Sequence, residues 1–254
     1  TELRGNGYFA LRRWLETQGV PVTELRQRYD WLAEDSGLPP RGNLLVTTVP
    51  HKRPSRQAEE SALVEWVRRG NTLLVLAGVF DTPEWGVPDF ATPGEFHKLT
   101  GMWVMDHEEE AEGGTEPEAE GALSPLFERM PAPKRGVMKP VGEHPLTRDV
   151  TEVHAVSEYA AGKFDVASPP LEPALALLAD GESGLAAFWV TWNGEGRVMA
   201  SGYASIFTNK MLAEGGNATL AANIVAAALG PGGHVIFDDM HQGASSVYDA
   251  QAFF

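Results

Sequence analysis

The chain has 254 residues, 43% of them hydrophobic and 22% charged, with no cysteine and a net charge of −15. That length and composition suit one large α/β domain with a sizeable core, and the missing cysteine excludes disulfides, thiolate metal sites and a cysteine nucleophile. The acidic balance disfavours nucleic acid and an anionic membrane surface as partners, because both are held by basic side chains.

From the N-terminus, Asn6 is placed to cap a helix whose inward positions are Phe9, Leu11, Trp14 and Leu15 and which Gly19 ends. The short apolar segment Val20 to Leu25 follows. Asn43 to Val49, bounded by Pro40 and Pro50, reads as a buried strand. Ser55 is the expected cap of the next helix, with Ala58, Ala62, Leu63, Trp66 and Val67 inward and Gly70 as its stop. Thr72 to Ala77 is a second buried strand. Strand, helix and strand with near-continuous apolar runs predict a parallel sheet covered on both faces. Ligands in such folds sit beyond the carboxyl ends of the strands, here Pro50 to Ser55 and Gly78 to Glu84.

Residues 83–150 read as an irregular insertion. It opens with a Pro-rich loop around Trp85, continues with a short helix over Gly94 to Gly101 and a short strand over Met102 to Met105, and then turns strongly acidic. The run 106–121 carries eight acidic residues and no Lys or Arg. Low hydrophobicity and one sign of charge predict a solvated loop rather than a calcium site, whose D-x-D-x-D-G spacing is missing, or a docking tail. Between Val137 and Asp180 prolines recur among short apolar bursts. Leu185 to Trp192 and Gly196 to Ser201 predict a hairpin through Asn193-Gly194. Asn217 is placed to cap a helix over Ala218 to Leu229, and His234 to Phe237 is a last buried strand.

Candidate chemistry concentrates after that strand. Asp238, Asp239 and His241 could serve acid/base chemistry or hold a divalent ion, joined by His51 or His154. The preferred reading is structural: a carboxylate past a strand accepts loop N–H groups, the imidazole packs beside it, and Gly243 permits a tight turn. The position at a strand's carboxyl end still makes it the first place to look for a ligand. Thr208 and Asn209 read as loop-holding residues, with Asn209 lining a cleft beside Asp239 as the alternative. His51, Lys52 and Arg53 form a basic group that either attracts an anion or is simply exposed. Trp85, Trp103, Trp189 and Trp192 read as core aromatics before they read as a sugar platform. No G-x-S-x-G elbow occurs, and Ser201 reads as a loop serine at a strand end.

Four segments in order carry a resemblance. GNGYFALRRWLETQGVPVTEL resembles a "G-x-x-A-L…L-x-x-x-G" helix and strand; EESALVEWVRRGNTLLVLA resembles "L-x-x-W-V-x-x-G-G" and a strand, with Asn71 at the second glycine. GRVMASGYASIFTNKML with GGNATLAANIV resembles a strand, an "F/L-T-N" loop and a "D/G-N-A" helix start. VIFDDMHQG resembles "F-D-E-x-H-x-G", with Asp239 at the glutamate. Together they resemble a bacterial domain family of unknown function, often encoded beside MoxR-type AAA ATPases and von Willebrand A-domain proteins. The resemblance implies a class I glutamine amidotransferase-like, ThuA-like fold, flanking membrane helices and a periplasmic, membrane-anchored setting with partners in a MoxR-type complex. A chain that opens at Thr1 is consistent with a segment of a longer protein.

The expectation is therefore a single α/β domain over 1–254, a three-layer sandwich with a mainly parallel central sheet. Without a nucleophile or a complete site, a cysteine-dependent glutaminase is excluded. A non-catalytic ligand-binding or protein-interaction domain is expected, with no cofactor or metal and with ligand contacts at Asn209, Asp239, His241 and His51. The other expectation is a metal-dependent or acid/base hydrolase using Asp238, Asp239 and His241.

Overall fold

The apolar runs of the first eighty residues fold into alternating helices and strands. The computed structural model describes residues 7–33, 36–79, 91–106, 134–157, 164–167 and 174–243. Helix α1 (Phe9–Thr17) buries Leu11 and Leu15, and Gly19 leaves it at a φ of 75° that favours glycine. Strands β1 (Val22–Leu25) and β2 (Leu44–Val49), helix α2 (Gln57–Arg68) and strand β3 (Thr72–Ala77) follow. The proposed cap Asn6 lies outside the described residues. Ser55 does not cap α2. Its hydroxyl donates to the Glu60 carboxylate (2.8 Å), and the Arg56 N–H is taken by Glu59 (3.2 Å). The buried stripe of α2 is Glu59, Leu63, Trp66 and Val67, so Glu59 rather than Ala58 occupies its first inward position.

Next come α3 (Ala91–Thr100), β4 (Trp103–Asp106), β5 (Lys134–Pro140), β6 (Val153–Ser157), β7 (Phe164–Ala167) and β8 (Leu175–Asp180). Within 83–150 the described residues thus contain a helix, two strands and the 3-10 turn Pro145–Thr147; Trp85 and the acidic run beyond Asp106 lie outside them. The last part is β9 (Ala186–Asn193), β10 (Gly196–Ser201), α4 (Asn217–Ala228) and β11 (Val235–Asp238).

Nine strands form one sheet in the order β1-β11-β2-β3-β10-β9-β8-β5-β6, and β4 pairs β7 in a small second sheet. The large sheet is mixed, not mainly parallel. From β1 to β10 every neighbouring pair is parallel, and from β10 to β6 every pair is antiparallel. For the two ladders of β9, connection length is the reason. A parallel pair needs a crossover of about a dozen residues. Residues 181–185 join β8 to β9, and Gly194-Glu195 alone join β9 to β10, so both connections can only reverse the chain.

All six residues of β3 and all four of β11 are buried, so both faces of the sheet are covered at its centre. Strand β11, last of the described strands, lies inside the sheet between β1 and β2, and the residues that follow it emerge at the carboxyl edge. Asn217 is not the cap of α4. It is wholly buried, its Oδ1 accepts from the His154 N–H (2.8 Å), and its amide nitrogen faces the carbonyls of His154, Ile206 and Met211 at 2.7 to 2.9 Å. It therefore acts as an extra ladder rung that ties edge strand β6 to the loop before α4.

Candidate functional site

Parallel pairing of β11 with β2 (Val235↔Leu44, Phe237↔Val46) brings the ends of both strands to one edge. Asp238 closes β11, Thr47 lies in β2, and His51 follows β2 by two residues. His241 returns over Asp238 in a turn that Gly243 ends at a φ of 97°. Two distant segments complete the group: the 3-10 turn Tyr29–Ala33 after β1 supplies Tyr29, and the first turn of α2 supplies Glu59.

Asp238 is the hub. It accepts from the Tyr29 hydroxyl (2.5 Å), the Thr47 hydroxyl (2.7 Å), the His241 backbone N–H (3.1 Å) and His241 Nδ1 (2.9 Å). His241 Nε2 lies 3.2 Å from Glu59 Oε2, and Arg28 donates to the other Glu59 oxygen. Tyr29 stacks on the His241 ring, centroid to centroid 4.2 Å, and the His51 ring lies 4.8 Å from it. The side chains of Asp238, His241 and Glu59 are 0%, 1% and 2% exposed.

Burial opposes charge on His241, but hydrogen bonds and attraction from Asp238 and Glu59 outweigh it and raise its pKa above the ordinary imidazole value. Burial likewise opposes charge on Asp238, yet His241 chiefly, with His51 and Tyr29, holds its pKa below the usual carboxylate value. Tyr29, buried against Asp238, is pushed well above an ordinary phenol. The group thus favours a proton on His241 between two carboxylates, with Arg28 offsetting the second.

His51 behaves oppositely: burial lowers its pKa to about 4, and it is neutral. Its tautomer follows from its neighbour. The Thr47 hydroxyl proton goes to Asp238, so Thr47 accepts from His51 Nε2 (3.1 Å), and the proton sits on Nε2. Nδ1 is then a bare acceptor, buried and without a partner among the described residues. The His51 backbone N–H donates to Glu95 of α3 (2.7 Å), whose pKa burial raises.

The structure brings Asp238, His241 and His51 together. Asp239 is buried next to them, and its N–H donates to Leu25 of β1. His154 lies on β6, at the far edge of the sheet, beside Glu152 (2.8 Å). Asn209 Oδ1 accepts from the Ala10 N–H (2.7 Å), fixing the first turn of α1 to the loop after β10. Among the described residues no three His, Asp or Glu side chains are disposed to hold a metal ion. Sequence reasoning missed Tyr29, Thr47, Arg28 and Glu95. Glu59 left a readable trace, as a charge on the apolar stripe of α2.

Several known structures are similar to this chain over most of its length. The Cytoplasmic Protein STM1381 from Salmonella typhimurium LT2 is 11% identical over 88% of both chains, with a TM-score of 0.51. The N-terminal domain of mmIFT52 is 14% identical over 72% of this chain and 75% of that one, at a TM-score of 0.43. A distant neighbour, a putative ThuA-like protein from Bacteroides uniformis ATCC 8492, is 12% identical over 72% of this chain and 67% of its own, at 0.34. The chain spans only 22% of the length of a matched β-galactosidase from Bacillus circulans sp. alkalophilus. No curated protein matches it in sequence. A family model described as a domain of unknown function, DUF4350, matches residues 3–225, and the chain belongs to that family.

Proposed function

We propose that this is a non-catalytic ligand-binding or protein-interaction domain, in which the Glu59–His241–Asp238 array fastens the carboxyl edge of the parallel strands. One observation supports it above others: the polar atoms of the array are spent on one another. Each ring nitrogen of His241 faces a carboxylate, and Asp238 takes His241, Tyr29 and Thr47. A general acid or base must instead reach a proton on the substrate. Of the proposed ligand contacts Asn209, Asp239, His241 and His51, the last keeps an acceptor nitrogen to offer a hydrogen-bond donor. The motif resemblance supports a wider proposal, that the domain faces the periplasm in a membrane-anchored protein acting with a MoxR-type ATPase. No described helix is long and apolar enough to cross a membrane, so the anchor in this proposal is a segment outside the described residues.

Calorimetric titration with zinc, manganese, magnesium and calcium tests the reading against a metal-dependent hydrolase. The expected result is no stoichiometric binding, with Asp239→Ala and His241→Ala changing thermal stability alone. Tight one-to-one binding that either substitution abolishes would overturn the proposal.

A further inference from the structure

The register of the parallel strands places Thr72 of β3 and Arg197 of β10 at the edge opposite Asp238. Near that amino edge, α2, the end of α3 and strands β3, β9 and β10 enclose a cleft of about 240 Å³. Its floor is apolar: Leu63, Val67, Leu73 and Val198. Set into it is Thr191 of β9, directly across the ladder from Val198 and 5% exposed. The Thr191 hydroxyl is buried and has no hydrogen-bond partner among the described residues. Buried hydroxyls are nearly always paired, and those of Thr47, Thr100 and Thr208 in this chain are. An unpaired donor in a concave apolar surface marks a place where a ligand atom completes the structure.

The charges around the cleft say which kind. Lys98 of α3 and Arg68 at the end of α2 flank it, against one lining carboxylate among the described residues, Glu60, 3.6 Å from Lys98. Arg68 uses Nε to hold Asn193 Oδ1 (3.0 Å), which among the described residues leaves the terminal amino groups of its guanidinium for another acceptor. The negative end of α2 does not cancel this. Its last carbonyls are already capped, Trp66 by the Asn71 amide, Val67 by the Gly70 N–H and Arg68 by the Glu195 N–H. In a chain of net charge −15 the cleft is a local reversal of sign.

We propose that this cleft binds a small organic monocarboxylate, with its apolar body on Leu63, Val67, Leu73 and Val198. Its carboxylate accepts from the Thr191 hydroxyl and lies in the field of Lys98 and Arg68. The volume, below the roughly 300–1,000 Å³ of sites for drug-sized ligands, restricts the body to a short chain or a single ring. This site is independent of the role proposed for the carboxyl edge.

The test is titration of the full chain with hexanoate, followed by amide chemical shifts, with hexanamide and hexylamine as neutral and cationic analogues. Hexanoate is expected to bind with a Kd of about 1 mM, as suits a ligand of so few atoms, and to shift Thr191 and its strand neighbours. Hexanamide is expected to bind several-fold more weakly and hexylamine not at all. Thr191→Val, which keeps the shape and removes the hydroxyl, and Lys98→Gln should each weaken hexanoate about tenfold. An unchanged thermal midpoint for both variants would show that the loss is not unfolding. The proposal is overturned if hexanoate does not bind at about 20 mM, if the amide or the amine binds as well as the acid, or if both variants bind like the wild type.

Discussion

His51 and His241 sit with ring centroids 4.8 Å apart, and their surroundings drive their protons in opposite directions. His241 lies between Asp238 and Glu59, which raises its pKa; the His51 ring stands 3.9 Å from the Asp238 carboxylate, and burial lowers its pKa to about 4. The linkage signs follow. Between pH 6.5 and 4 the unfolded chain protonates His51 while the native chain does not, so stability falls as the medium acidifies. The full contribution is about 3 kcal/mol from a shift of that size. Above pH 6.5 the native chain keeps a proton on His241 that the unfolded chain has lost. Its stabilisation is complete below pH 6.5 and disappears as pH rises through the native value. The two effects together predict a stability maximum near pH 6.5. Glu95, raised by burial, opposes the His51 limb above its ordinary value of 4.5, so single variants isolate each limb better than the wild-type curve. His51→Gln keeps a donor for Thr47 and should flatten the acid limb. His241→Asn keeps a donor for Asp238, lowers stability overall and should flatten the alkaline limb. Urea unfolding from pH 4.5 to 9 reads both slopes. Slopes that the substitutions leave untouched would contradict the assignment.

At the level of elements, the β9–β10 hairpin is pressed against the end of α2 so closely that one position admits no side chain. A Cβ on Gly196 would stand 1.9 Å from the Val67 carbonyl oxygen and 2.3 Å from that of Asn71, both backbone atoms that cannot swing aside. Gly196→Ala must therefore separate the hairpin from the helix, at a cost above the about 1–3 kcal/mol typical of overpacking. Gly94, exposed in α3 with nothing within 4 Å of the same added atom, should respond in the other direction. Gly94→Ala removes unfolded-state freedom from a helical residue and should add about 0.5–1 kcal/mol. Denaturant midpoints of the two variants check the pair, and equal effects would refute the packing argument. The hairpin itself was legible from Asn193-Gly194 between apolar runs, and strands β2, β3 and β11 from continuous apolar residues between breakers. What was not legible has local rules behind it. Asn217 has the identity and position of a cap, yet a buried amide can also complete a sheet edge, and its partner His154 is 63 residues away. The cluster at Asp238 and His241 could be read because its members adjoin in sequence. Tyr29 and Glu59 could not be tied to it, since they reach it across 209 and 182 residues.

For the whole molecule the decisive feature is where the last described strand goes. The apolar runs predicted β2, β3 and β11 as buried parallel strands but carried no information on their order, and the short connections around β9 made both of its ladders antiparallel. Strand β11 is the interior partner of both β1 and β2, with all four residues buried. The family match ends at residue 225, before this strand and before Asp238 and His241, so two boundaries for the folding unit compete. The structure favours the later one. Without β11, strand β1 has no neighbour in the sheet, and β2 loses its ladder on one side. Tyr29 and Thr47 lose their shared acceptor Asp238, and the Glu59 oxygen that faced His241 loses that partner, leaving Arg28 and the Arg56 N–H on the other oxygen. An exposed interior edge, an apolar face without cover and a half-paired carboxylate each cost several kcal/mol, against a total stability of about 5–15 kcal/mol. A chain truncated after Leu229 is therefore expected to lose its cooperative thermal transition while the full chain keeps one, as followed by near-ultraviolet circular dichroism. A truncated chain that melts cooperatively within about 5 °C of the full one, a shift of roughly 1–2 kcal/mol for this size, would mean that β11 and the Asp238 array are additions to a fold already complete without them.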